Sequence, residues 1–422
     1  MRYCRRLGLA VVFLGLVLIL ALSMNPETAF AGKDIKVGII DCYTGGAAAF
    51  TKPALVAWKM VVDEFNAKGG LDGRKIVLIT RDSKFKADEA LAHARELILK
   101  EGVDFLGGTV SSSAALAVSE FARKKKKIFI VHIARSHRIT GDKGHKYVFR
   151  ACPNAEIEGL AGGAYAAKMP YKKWYIIGDD YEYGHSIGDN FWKGLKKFKP
   201  DVEKVGEAWP KVKETDYTPY LTALVAKKPD AVYAAFGASG LISFFKQAKL
   251  FGLTDKFPVF AFALGDSLFP KVLKENTPIG VYGATNYLWY YPDTPANKAF
   301  VKKYVEYTKK GGKADPYPSG IGAFGGYCAA KFLTDAILKA KSTNTDKVIK
   351  ALEGLTINTA IGPIKMRACD HQAVTPAFWG QIAPKKEGQP FPLMKDIVMT
   401  PPDKVMPSCD EIAKVRKAAK DK

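Results

Sequence analysis

The sequence predicts an α/β protein with two lobes built on parallel sheets. Three observations predict it. Short apolar runs alternate with amphipathic helical stretches from Ile35 onward, the alternation comes in two successive series, and helical material returns after the second series. The return implies that the lobes are discontinuous in sequence.

In the first series, Ile35–Ile40 reads as a short buried strand, and Leu55, Trp58, Val61, Val62 and Phe65 recur at helical spacing. Lys68-Gly69-Gly70 stops that helix. Ile76–Thr80 is the next strand, and Ala87, Ala90, Leu91, Ala94, Leu97 and Ile98 form the next apolar stripe. Asp88 and Glu89 sit at its positive end and Lys100 at its negative end, as the helix dipole favours. Phe105–Gly108 ends a third strand, Ala114–Lys125 is helical, and Ile128–Val131 is a fourth strand. Strand, helix and strand at this rhythm imply right-handed crossovers.

The second series starts near Cys152. Its strands read Trp174–Gly178, Val202–Trp209, Ala231–Phe236 and Val259–Ala263. Its helices read Glu156–Lys168, Ile187–Phe198, Thr218–Lys227 and Leu241–Phe251, the last closed by Gly252. Helical patterns return at Asn297–Lys309 and Tyr327–Lys339, and the Pro-rich tail from Ile361 is strand-like.

The first 31 residues are read as a removable leader. Arg2, Arg5 and Arg6 precede an apolar run from Leu7 to Leu22, and Ala29-Phe30-Ala31 is a small-x-small cleavage pattern. The run has 16 residues, short of the ~20 that a spanning helix needs. Cleavage after Ala31 and export to the periplasm are therefore expected. Removing 31 of the 422 residues leaves 391, too many for one ordinary core.

Without the leader's three Arg and Glu27, 61 basic and 41 acidic residues remain, a net +20. The lysines are scattered, no nucleic-acid-binding motif is present, and Lys124–Lys127 ends a helix, where cations complement the dipole. Nucleic acid is therefore not an expected partner. A positive field favours anionic ligands and surfaces. Of the cysteines beyond the leader (Cys42, Cys152, Cys328, Cys369 and Cys409), the spacings fit no zinc or redox motif. An exported protein can form disulfides, and Cys369 with Cys409, both in the tail, is the expected pair.

Several segments in combination carry a family resemblance. They are Ile35-Lys36-Val37-Gly38-Ile39, Thr44-Gly45-Gly46-Ala47, Asn66–Gly73, Gly107–Ser112, Tyr147–Arg150, Asp180–Gly184 and Thr215-Asp216-Tyr217. Together the chain resembles the leucine/isoleucine/valine-type solute-binding proteins of ABC importers. The resemblance implies a type I periplasmic-binding-protein fold, in which two Rossmann-like lobes joined by a three-segment hinge close over a ligand. Lobe one is then expected at 32–150 plus 281–358, and lobe two at 151–280 plus 359–422.

The resemblance also suggests the site. Ser111 and Ser112 match the helix start that holds a ligand carboxylate, where free N–H groups and the dipole favour an anion. Ala134 and Ser136 match backbone and hydroxyl contacts, and Arg135 departs from the pattern with a side chain suited to a bidentate carboxylate pair. Phe50, Tyr183 and Phe236 match aromatic walls. Ala263 lies in Phe260-Ala261-Phe262-Ala263-Leu264-Gly265, where amino-acid binders carry a glutamate for the ligand ammonium. Asp266 is nearby but begins a helix, a position that Asp favours anyway. A buried ammonium without a partner costs several kcal/mol. The expected ligand is thus a small carboxylate without an amine, delivered to the membrane permease of an ABC importer.

Two other readings compete: binding of a standard amino acid, and presentation of a ligand to a sensor. Enzymatic function is not expected. The chain carries no G-x-G-x-x-G after a strand, no Gly-rich lysine loop for phosphate, no H-E-x-x-H and no G-x-S-x-G. No cofactor and no metal site are implied.

Overall fold

The computed structural model describes residues 32–421, and the expected leader at 1–31 lies outside them. No described helix is long and apolar enough to cross a membrane.

The first lobe holds strands β1 (Ile35–Asp41), β2 (Ile76–Asp82), β3 (Phe105–Gly108), β4 (Ile128–Val131) and β5 (Val148–Arg150). They form a parallel sheet in the order β2-β1-β3-β4-β5. Helices α1 (Ala48–Ala67), α2 (Ala87–Leu99) and α3 (Ser112–Lys124) are the crossovers. Ile35, Val37 and Ile39 face one core with Trp58, Phe65 and Phe105, and Ile40 and Leu106 face the other with Leu97 and Val118. This is the alternation that a sheet covered on both faces requires. Gly108 has φ +133°, and a Cβ there would lie 2.1 Å from the Ile40 carbonyl oxygen, so only glycine lets β3 end against β1.

The second lobe begins with α4 (Ala155–Ala166), β6 (Lys173–Gly178), α5 (Glu182–Phe198), β7 (Glu203–Ala208) and α6 (Thr218–Ala226). It continues through β8 (Ala231–Ala235), α7 (Ala238–Leu250), α8 (Leu253–Lys256), β9 (Val259–Ala261), α9 (Leu268–Leu273) and β10 (Tyr282–Thr285). The chain then returns to the first lobe as α10 (Pro295–Lys310), α11 (Gly325–Ala340), α12 (Thr345–Leu352) and the hairpin β11 (Thr356–Thr359) with β12 (Gly362–Lys365). It ends with β13 (Ala377–Ile382), β14 (Met394–Thr400) and α13 (Cys409–Lys420). The second sheet runs β14-β13-β10-β9-β8-β6-β7, with β13 and β14 antiparallel.

Two boundaries differ from expectation. The second crossing lies between Thr285 and Tyr287, not at 280, because β10 is hydrogen-bonded between β9 and β13 in the second sheet. The third lies between Ala373 and Ala377, not at 358, because Ile357, Ile364, Met366 and Ala373 are buried in the first-lobe core. Strand-like tail sequence does not reveal which lobe it joins; burial does. Helix α5 also starts at Glu182, ahead of the expected Ile187, and the strand expected at 259–263 ends at Ala261, where Phe262–Gly265 turn as a 3-10 helix.

The hinge is stitched by a buried arginine. Arg150 donates through Nε to Gln372 Oε1 at 2.6 Å and through Nη1 and Nη2 to the Ser136 carbonyl and the Thr140 hydroxyl. Gln372 in turn donates to the Cys152 carbonyl at 2.7 Å, so the first and third crossings share one network. Burial pulls the guanidinium down to about 10. Cys369 and Cys409 are bonded, with Cα atoms 5.8 Å apart, while Cys42, Cys152 and Cys328 are buried and have no disulfide partner among the described residues. The bridge ties α13 to the segment leading into the third crossing, and Arg416 of α13 donates to the Thr140 and Cys369 carbonyls.

Candidate ligand cleft

In each sheet the strand order reverses once beside the first strand of its series, between β1 and β3 and between β6 and β8. Loops diverge there, leaving a crevice beyond the carboxyl ends of the strands. The two crevices face each other. Between them lies a cavity of about 140 Å³. Phe50, Val110, Ser112 and Arg135 line it from the first lobe, and Asp179, Tyr181, Tyr183, Gly237 and Ala263 from the second.

The lobes touch directly around this cavity. The Tyr181 hydroxyl accepts from the Ser112 backbone N–H at 2.5 Å and donates to Ser111 Oγ at 3.2 Å. Ser136 Oγ donates to Glu182 Oε1 at 2.6 Å, and His137 meets Ser186 Oγ through both its backbone N–H and its ring. Burial holds the His137 imidazole below its usual pKa. These contacts define a closed arrangement of the lobes.

The helix start at α3 therefore has an internal occupant. Ser111 Oγ caps the helix by accepting from the Ala114 N–H, and Ser112 Oγ accepts from the N–H groups of Arg135 and Ser136. A lobe-two phenol sits where the sequence suggested a ligand carboxylate.

Arg135 is buried in the cavity wall. It pairs with Glu158 and donates to Asn286 Oδ1 at 3.2 Å, linking the first lobe to α4 and to the second crossing. Burial pushes the Glu158 carboxyl up to about 8 against the pull of Arg135, and Glu158 Oε2 has no hydrogen-bond partner among the described residues. His132, directly after β4, serves the scaffold. Its Nδ1 accepts from Trp58 Nε1 at 3.0 Å, which leaves Nε2–H to donate to Asp41 Oδ2 at 2.6 Å. Asp41 Oδ1 accepts from the Cys42 and Val110 N–H groups, so the network fixes both loops at the first switch point.

Of the residues suggested by sequence, Phe50, Ser112, Arg135, Tyr183 and Ala263 line the cavity together. Ser111 stands behind Ser112 as the helix cap. Ala134 is packed in the first-lobe core with Phe129 and Ile139. Ser136 faces Glu182 in the lobe contact. Phe236 stacks on Phe244 with ring centroids 4.5 Å apart and meets Tyr217 edge-on, so it supports the second lobe from within. Asp266 is buried away from the cavity: its carboxylate accepts from the Leu268 N–H at 3.0 Å and the Ile321 N–H at 2.7 Å.

Among the cavity residues that escaped the sequence reading, two carry polar groups that matter to the site. Tyr181 and Asp179 both lie in or beside the Asp180–Gly184 match, but nothing in residue spacing tells which side chain of a loop turns inward. The signal available was position: the residue directly after the first strand of an α/β series stands at a switch point.

Comparison with known proteins agrees with this architecture. The profile of a family described as "Periplasmic binding protein" matches residues 34–389. A Leu/Ile/Val-binding protein homolog from Brucella melitensis is 24% identical over 382 residues, covering 86% of this chain and 88% of the relative. A solute-binding protein of an ABC transporter from Rhodopseudomonas palustris BisB5, solved with 3,4-dihydroxybenzoic acid, is 25% identical with a TM-score of 0.75, covering 88% of this chain and 99% of the other. An ABC-type branched-chain amino acid transporter structure from Rhodopseudomonas palustris CGA009 is 27% identical with a TM-score of 0.69, covering 88% and 98%.

Proposed function

Because the chain belongs to the periplasmic binding protein family, we propose that it captures a small, amine-free carboxylate between its lobes and hands it to the membrane permease of an ABC importer. It is the substrate-binding protein of an ABC transporter, works in the periplasm and is not an enzyme. Export by cleavage after Ala31 is part of the proposal; N-terminal sequencing of the envelope protein should begin at Gly32.

The cavity between the lobes carries the reading. Its volume of about 140 Å³ is close to the ~150 Å³ of an engineered protein cavity that binds benzene. A ring or a branched chain fits, with walls from Phe50, Val110, Tyr183 and Ala263. Arg135 supplies the anchor. Its partner Glu158 is pushed toward the neutral form, so a ligand carboxylate would meet a buried guanidinium in need of an anion. The segment Phe262–Leu264 is buried and apolar, and Asp266 is committed to backbone N–H groups, so neither offers a partner to an ammonium group.

Titration calorimetry of wild type and Arg135→Met against benzoate, 4-methyl-2-oxopentanoate and leucine tests it. Binding of at least one acid at micromolar Kd, lost in the variant, is expected. Tight leucine binding with no response to either acid would overturn it. The name of the Brucella relative favours leucine, and the missing glutamate opposes it.

A further inference from the structure

Asp179 follows β6 directly, at the second lobe's switch point, and lines the cavity. The residue is only 4% exposed. Its Oδ2 accepts from the Gly237 N–H at 3.1 Å, and its Oδ1 has no partner among the described residues. A Cβ on Gly240 would lie 2.5 Å from both carboxylate oxygens, so the bare turn of α7 is what admits this side chain. Burial pushes the carboxyl up to about 6, which leaves it mainly ionised at neutral pH. A buried, ionised oxygen without a donor is costly, and a donor on the ligand removes that cost.

We infer that Asp179 is a specificity-determining residue that accepts a hydrogen bond from a hydroxyl group on the ligand, so that the preferred ligand is a hydroxylated acid. The inference rests on the preceding reading that the ligand is an acid. The charge of the wall selects hydroxyl over ammonium. Lys84, Arg135 and Lys213 line the same cavity, and Asp179 is the one carboxylate among its lining residues. An ammonium would share the cavity with the buried Arg135 guanidinium and bring three N–H donors to the one unpartnered Asp179 oxygen. A hydroxyl brings one donor and no charge. With the carboxylate on Arg135 of the first lobe and the hydroxyl on Asp179 of the second, the ligand bridges both lobes, and only the closed arrangement offers both ends at once.

A site built to receive a hydroxyl rejects the analogue that lacks it, because its own polar group is left bare. Calorimetry of benzoate, 3-hydroxybenzoate, 4-hydroxybenzoate and leucine, on wild type and Asp179→Asn, reads this out. One hydroxybenzoate should bind about 10- to 100-fold more tightly than benzoate, the span for a hydrogen bond to a charged group. Asp179→Asn should cut that ratio to within a few-fold. A second measurement needs no variant: the ultraviolet band of the preferred hydroxybenzoate should shift to the red on binding wild type, as a phenol does when it donates to a carboxylate. Benzoate and hydroxybenzoates binding alike, an undiminished ratio in Asp179→Asn, or no red shift would overturn the inference and leave the acid reading standing. Silence from all three benzoates overturns the hydroxy-acid class. Leucine binding alone, with benzoates silent, overturns both readings.

Discussion

Replacing Tyr181 by Phe isolates one term in lobe closure. The Tyr181 ring packs 5.7 Å from Phe85, and that contact survives the change. Only the hydroxyl is lost, and with it the bonds to the Ser112 N–H at 2.5 Å and to Ser111 Oγ at 3.2 Å. Each such bond contributes a net ~0.5–1.5 kcal/mol, so the closed arrangement loses about 1–3 kcal/mol. In an open arrangement water satisfies both groups, and the loss therefore falls wholly on the closed-to-open ratio. At ~1.4 kcal/mol per tenfold, that ratio drops about 5- to 150-fold. Ligand affinity weakens by up to the same factor, because binding selects the closed form. Solution scattering should give a larger radius of gyration for ligand-free Tyr181→Phe than for wild type, and calorimetry should give a weaker Kd for whichever acid wild type binds. Tighter binding would refute the reasoning, since Tyr181 would then be competing with the ligand for the helix start at Ser112. An unchanged radius together with an unchanged affinity would refute it as well.

Further outcomes are expected. The Cys369–Cys409 bridge spans 40 residues in sequence, and the chain-entropy model gives such a loop about 4 kcal/mol; urea unfolding of Cys369→Ser/Cys409→Ser should show a loss of that order, and an unchanged midpoint would deny the bridge a stabilising role. The Glu158 pKa is raised on folding, so its contribution is fully present below the unfolded value near 4.5 and is lost as pH rises through about 8. The melting temperature of wild type should therefore fall more steeply between pH 6 and 9 than that of Glu158→Gln, and parallel curves would contradict the assignment. Ser111→Ala removes the cap of α3 and should lower unfolding free energy by about 0.5–2 kcal/mol, with acid affinity changed far less than in Arg135→Met. A selective loss of affinity in Ser111→Ala would return the anchor to the helix start.

Local chemistry in the sequence determined the alternating elements. Apolar runs such as Ile128–Val131 are buried between helices, and period and length are local properties that survive any packing. The same holds for the Ser111 cap of α3, which depends on neighbouring residues alone. What only the tertiary structure decided are relations between distant residues. The β11–β12 hairpin belongs to the first lobe because Ile357 and Ile364 find apolar partners there, a choice that no local pattern encodes. Arg135 reads as a free anion binder until Glu158, 23 positions on, is brought against it by the lobe contact. Tyr181 looks like a loop residue until closure places its hydroxyl on the opposite helix, and Asp179 becomes a cavity carboxylate only because Gly240, 61 positions away, leaves room for it. Backbone patterns are fixed by interactions along the chain, whereas the chemistry of the cleft arises from side chains that meet only when the two sheets face each other.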